Sequence, residues 1–101
     1  MSKPKVAVLQ TTPQSVIEDY ARLMDLADWT TFLVKDRTTI LKDNISWHLL
    51  FPGTNSTPWQ LEGVIQRLRA EPGYEDVVAV ENTTVVTDPS KGDKNNKFDR
   101  V

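Results

Sequence analysis

Three short apolar runs alternate with two segments that open like helices, and this alternation constrains the fold more than any other feature of the chain. The runs are Val6-Ala7-Val8-Leu9, the β-branched stretch Thr38 to Ile45, and Val77-Val78-Ala79-Val80 within Asp76 to Glu81. The first, a continuous apolar run bounded by polar residues, reads as a strand buried on both faces, as in a parallel sheet, and the second reads as a strand from its β-branched residues. Between the first two runs, Thr12-Pro13 offers a cap with proline at the first helical position, and Ser15-x-x-Glu18 offers an alternative capping box. Val16, Tyr20, Leu23, Met24 and Ala27 then recur at helical spacing to about Asp28. Between the second and third runs, Thr57-Pro58-Trp59-Gln60 starts a helix whose apolar stripe is Leu61, Val64, Ile65 and Leu68, and Pro72-Gly73 ends it. The expected architecture is α/β, a small three-layer β-α-β-α-β unit with a short, mostly parallel sheet and right-handed crossovers. Trp29 to Arg37 reads as a connection packed on the core.

The chain has 101 residues, room for one domain. Residues 1–87 are expected to form the α/β domain, as the N-terminal part of a larger fold. Residues 88–101, rich in lysine, asparagine and aspartate, are expected to be a polar tail or a truncated connection. A net charge of -2 argues against nucleic acid as a partner, because neutralising phosphates needs a basic face. There is no cysteine, which removes disulfides, thiolate metal sites and a cysteine nucleophile. No window approaches the roughly 18 apolar residues of a membrane span, and the N-terminus lacks a signal-peptide core. The expectation is a cytoplasmic protein with no membrane partner. The Asn-x-Ser/Thr sequons at Asn55 and Asn82 read as chance matches in that setting.

Open α/β sheets bind ligands outside the carboxyl ends of their strands. The loops expected there carry Thr11 and Thr12, then Asn44, Ser46, Trp47, His48, Asn55, Ser56 and Thr57, then Asn82, Thr83 and Thr84. Hydroxyls and amides orient polar ligands, and a helix N-terminus favours an anion. The expected ligand-binding set is Lys42, Asn44, Ser46, His48, Asn55, Thr57 and Asn82. Four of them also have a plainer role. Thr57 can simply cap its helix, Asn44 can end its strand by bonding backbone, Lys42 can be solvated, and His48 can be structural. No catalytic residue stands out and no metal site is expected, since Asp43 alone is a weak cation ligand. Glycine-rich nucleotide loops are missing. A receiver-like phosphorylation domain is set aside, because Gln10-Thr11-Thr12 and Glu81-Asn82-Thr83 stand where its acidic residues belong.

The run Ile40-Leu41-Lys42-Asp43-Asn44, followed by Pro52-Gly53-x-Asn55-Ser56-Thr57-Pro58 and Leu61-x-x-Val64-Ile65, resembles the family known as domain of unknown function 362. Its members show a strand ending in Lys-Pro-Asn, a glycine-containing loop and a Leu-x-x-Val-Ile helix. Gly73-Tyr74-Glu75-Asp76-Val77 matches their Gly-Tyr-x-Asp-Val lead into the next strand. The resemblance covers about residues 4 to 95. It implies an α/β domain associated with redox proteins, some of which carry iron–sulfur segments, and it transfers no catalytic residue. Asp43 departs from the family proline. With no cysteine, a cluster belongs only to longer relatives, and no cofactor is expected within this chain.

Two functions follow as expectations. One is binding of a small anionic or polar ligand at the strand carboxyl edge, within a larger redox-associated protein. The other is a non-catalytic interaction module that associates through an exposed sheet edge, with a further copy or a missing C-terminal domain as partner.

Overall fold

The structure, a computed structural model, describes residues 3–47, 49–81 and 88–101. Helix α1 spans Val16–Leu26, strand β1 Thr39–Lys42, helix α2 Pro58–Ala70, strand β2 Val77–Val80 and helix α3 Pro89–Asn95. Short 3-10 turns follow α1 at Trp29–Thr31 and α3 at Phe98–Arg100.

The start of α2 follows the sequence rule. Thr57 is extended, its Oγ1 accepts from the Gln60 amide at 3.2 Å, and Pro58 occupies the first turn, where its missing N–H costs nothing. The other helix starts later than Thr12-Pro13 predicts. Ser15 precedes α1 without capping it and donates its hydroxyl to Asp19 at 2.7 Å instead. Asp19, buried on α1, also accepts from Thr11 at 2.7 Å and Arg22 at 2.7 Å. The Ser15 and Thr11 hydrogen bonds, with help from Arg22, hold this carboxyl below the ordinary range.

The two long helices touch almost backbone to backbone. A Cβ added at Gly63 of α2 would lie 2.8 Å from the Ile17 carbonyl oxygen and 2.8 Å from Tyr20 Cβ. Trp29, Leu68 and Tyr74 form one buried cluster, joined by Met24, Leu41, Val64 and Val77. The Trp29 and Tyr74 rings meet edge to face at 4.8 Å, and the Arg67 guanidinium lies 5.2 Å from the centre of the Trp29 ring. A second cluster joins Ile45, Leu61 and Phe98 with Leu41 and Ile65. Leu41 packs against both clusters and so links them through β1.

The sheet is parallel and, among the described residues, two-stranded, with Thr39 opposite Val77 and Lys42 opposite Val80. This establishes a mixed α/β fold. The register puts Leu41 and Val77 on the helix-covered face, and Ile40, Val78 and Val80 on the other. That other face is bare: Ile40 is 66% exposed, Val78 45% and Val80 37%. Helices therefore cover one face, giving two layers among the described residues where three were expected.

The expected first strand is not in the sheet. Val6-Ala7-Val8-Leu9 has no ladder partner. Lys5 is bound by Asp28 just beyond one end of α1, and Thr11 is bound by Asp19 near the other, so the segment is strapped lengthwise along α1. Ala7 and Leu9 are half-buried, whereas Val6 and Val8 are 83% and 84% exposed. An apolar run specifies burial and extension, but which edge it pairs with depends on the packing of everything else.

Residues 88–101, expected as a polar tail, carry structure. Asp88 caps α3 by accepting from the Ser90 and Lys91 amides at 2.9 and 3.1 Å. Gly92 abuts Ile45, leaving no room for a Cβ, and Phe98 enters the second cluster.

Candidate functional site

The polar residues after β1 fold their own loop. Asn44 donates its side-chain amide to the Thr54 carbonyl at 2.7 Å, and its backbone N–H to Ser56 Oγ at 3.0 Å. Ser46 Oγ donates to Asn44 Oδ1 at 3.1 Å. Asn55 is the hub. Its buried Oδ1 accepts from the Ser46 and Trp47 amides at 2.9 and 3.2 Å. Its Nδ2 donates to the Trp47 and Leu49 carbonyls at 2.8 and 3.0 Å, and to Asn96 Oδ1 at 3.1 Å. Asn96 is fully buried and donates onward to the Gly92 carbonyl at 2.9 Å. The network ties the loop to α3 across the second cluster.

Of the residues expected to bind a ligand, Asn44, Ser46, Asn55 and Thr57 come together in or beside this network. There they are partnered by the chain itself; Asn55 and Thr57 are buried, where polar groups need such partners, whereas Asn44 and Ser46 are exposed. Lys42 pairs with Glu81 at 2.8 Å and also donates to the Asp43 carbonyl. His48 and Asn82 lie outside the described residues.

Sequence reasoning weighed Asp43 as a lone carboxylate and missed the ones gathered near it, Glu81 and Asp93. Glu81, at the end of β2, uses its second oxygen to accept from the Ile45 amide at 2.7 Å. Asp43 lies beside it. Burial, then repulsion from Glu81 and more weakly from Asp93, pushes the Asp43 carboxyl up to about 6 against the pull of Lys42. Burial and Asp99 raise Asp93 as well. The strand carboxyl ends are therefore acidic, which disfavours an anion there despite the nearby α2 N-terminus.

Two openings flank these residues. A cleft of about 220 Å³ runs beside β1, lined by Ile40, Lys42 and Asp43 on the strand side and by Gln60, Leu61 and Val64 on the helix side. No residue of β2 lines it, so it follows the outer edge of β1. A second, of about 550 Å³, lies where α1 and α2 begin, between Pro13, Val16, Ile17 and Trp59, with Thr11 and Thr12 at its rim.

The outer edge of β1 carries unpaired backbone groups. Thr39 donates to the Asp76 carbonyl and Asp43 to the Val80 carbonyl, at 2.8 and 3.0 Å. By strand alternation, Ile40 and Lys42 then direct their N–H and C=O groups away from β2 and into the cleft side. Among the described residues these amides have no partner.

No group of three or more His, Cys, Asp or Glu side chains suited to a metal occurs among the described residues. The chain has none of the thiolates that an iron–sulfur cluster needs. No helix among the described residues is long and apolar enough to cross a membrane. No protein-family model matches the chain, and neither does any curated protein or solved structure.

Proposed function

We propose that this chain is a non-catalytic interaction module that takes up an extended polypeptide segment along the outer edge of β1. The observation that carries this reading is the open edge itself. Ile40 and Lys42 offer unpaired backbone groups beside a cleft floored by Leu61 and Val64. Strand addition draws its affinity from such main-chain groups and its specificity from pockets for alternate side chains. An added strand would supply the third strand that the sequence leads one to expect.

Display of random peptides against the chain tests the reading. Extended, alternating apolar sequences should be enriched, and their binding should protect the Ile40 and Lys42 amides from hydrogen exchange. Ile40→Pro should abolish that binding while leaving β1 paired, because the lost N–H faces away from β2. Enriched peptides that bind Ile40→Pro as well as the parent, or no enrichment, overturn the reading.

One observation favours a second reading, a small polar ligand at the strand carboxyl ends. Asp43, with its carboxyl near 6, faces the cleft that Ser56 and Gln60 also line. The acidity of this end selects a cation or a hydrogen-bond donor over an anion. Titration of the Asp43 carboxyl by NMR, with and without methylammonium and methylguanidinium, tests it. A midpoint unmoved by either cation rejects the reading.

A further inference from the structure

We propose that the segment taken up by β1 is the Val6–Leu9 arm of a second copy of this chain, exchanged reciprocally in a two-fold dimer. The inference rests on the edge-docking reading above and names its occupant.

The arm and the edge match in length. Both are four residues, about 13 Å of extended chain. The arm belongs to no helix or strand, and its backbone makes no hydrogen bond among the described residues. Val6 and Val8 are the most exposed large apolar side chains, at 83% and 84%. An apolar segment whose backbone groups are unpaired is suited to strand pairing with another chain.

Charge sets the direction. At the carboxyl end of β1, Asp43 and Glu81, with Asp93 nearby, outnumber Lys42. The arm is preceded by Lys3 and Lys5. Antiparallel pairing brings these lysines to the carboxylates and sets Val8 opposite Ile40 and Val6 opposite Lys42. Val6 and Val8 then extend the bare face made by Ile40, Val78 and Val80, while Ala7 faces Leu41 on the helix side. Reciprocity follows from size. A stable interface buries about 800 Å² per partner, more than one four-residue arm covers, and exchange puts two arms and two edges into one interface.

Full-length protein should show a monomer–dimer equilibrium by sedimentation, weakened by salt and by Asp43→Asn. Val8→Pro should raise the dimer Kd roughly tenfold, the effect of about one ladder hydrogen bond. Its circular dichroism should match the parent's, since the Val8 amide is unbonded in the monomer. Val8→Lys, at a position already solvated, repeats the test without a backbone change. Because the chain has no cysteine, Val8→Cys protein mixed with Ile40→Cys protein under oxidised glutathione should give a heterodisulfide. Ile40→Cys mixed with Phe32→Cys, an exposed position outside the arm, should give far less. A monomer at every concentration overturns the proposal, as does a dimer indifferent to Val8→Pro. A Val8→Cys/Ile40→Cys double variant that cross-links only within one chain also overturns it. Peptide display then decides separately whether the edge still docks other segments.

Discussion

The two faces of the β1–β2 sheet carry the same kind of residue and meet opposite fates. Leu41 and Val77 look toward α1 and α2 and join clusters built on Leu68, Trp29 and Tyr74. Ile40, Val78 and Val80, one position along each strand, face solvent. Aliphatic character is equal on both sides, so composition does not distinguish them. What distinguishes them is that Leu68 of α2, with Trp29 and Tyr74, packs over one face only, while α1 packs on α2 at Gly63. The bare face and the outer edge of β1 consequently leave apolar side chains and backbone groups uncovered among the described residues.

Substitutions that break this contrast rank in a clear order. Leu68→Ala, on the covered side and 1% exposed, should destabilise the chain by about 3 kcal/mol in denaturant unfolding, through lost burial and a residual cavity. Asn55→Ala should cost about 2 kcal/mol by the same measurement, because the Ser46 and Trp47 amides lose their acceptor. Gly63→Ala should cost about 1–2 kcal/mol, since the new methyl meets the Ile17 carbonyl and Tyr20, and backbone cannot yield as a flexible side chain would.

Asp43→Asn sharpens the electrostatic side of the contrast. The Asp43 carboxyl titrates near 6 when folded, above its ordinary value near 4, so protonation favours the folded chain. Its stabilising contribution is complete below about pH 4 and lost as pH rises through about 6. Asp43→Asn should therefore raise stability by about 1 kcal/mol at pH 7, a figure reduced for solvent screening, and should flatten the pH dependence between 4 and 6. Unfolding midpoints measured across that range check the sign. Ile40→Ala comes last: on the bare face it should shift stability by only about 0.5 kcal/mol. A large loss there would show that the face is covered in solution.

The loop between β1 and α2 teaches a related lesson. Its density of asparagine, serine and threonine reads as a ligand-binding surface, yet Asn44, Ser46 and Asn55 spend their hydrogen-bonding capacity on the loop's own backbone and on Asn96. A long connection pinned across a core has many amides to satisfy, and short polar side chains satisfy them at close range. The sequence shows which residue types are present but not whether their partners lie within the chain, because Asn55 and Asn96 are 41 positions apart.

Local physics settled much of this protein in advance. The Thr57-Pro58 start of α2, its Leu61, Val64, Ile65 and Leu68 stripe, its stop before Pro72-Gly73, the strand Val77–Val80 and the place of β1, though at Thr39–Lys42 it is half the expected Thr38 to Ile45, are all legible, since each depends on neighbours a few positions away. Tertiary structure alone decided the rest. It put Val6–Leu9 along α1 rather than in the sheet, seated Phe98 from a polar C-terminal stretch in the core, and gathered Asp43, Glu81 and Asp93 at one end of the strands. The physical reason is common to all three. An apolar run, an isolated aromatic and scattered carboxylates each specify a preference for an environment, and only the completed packing determines which environment is within reach.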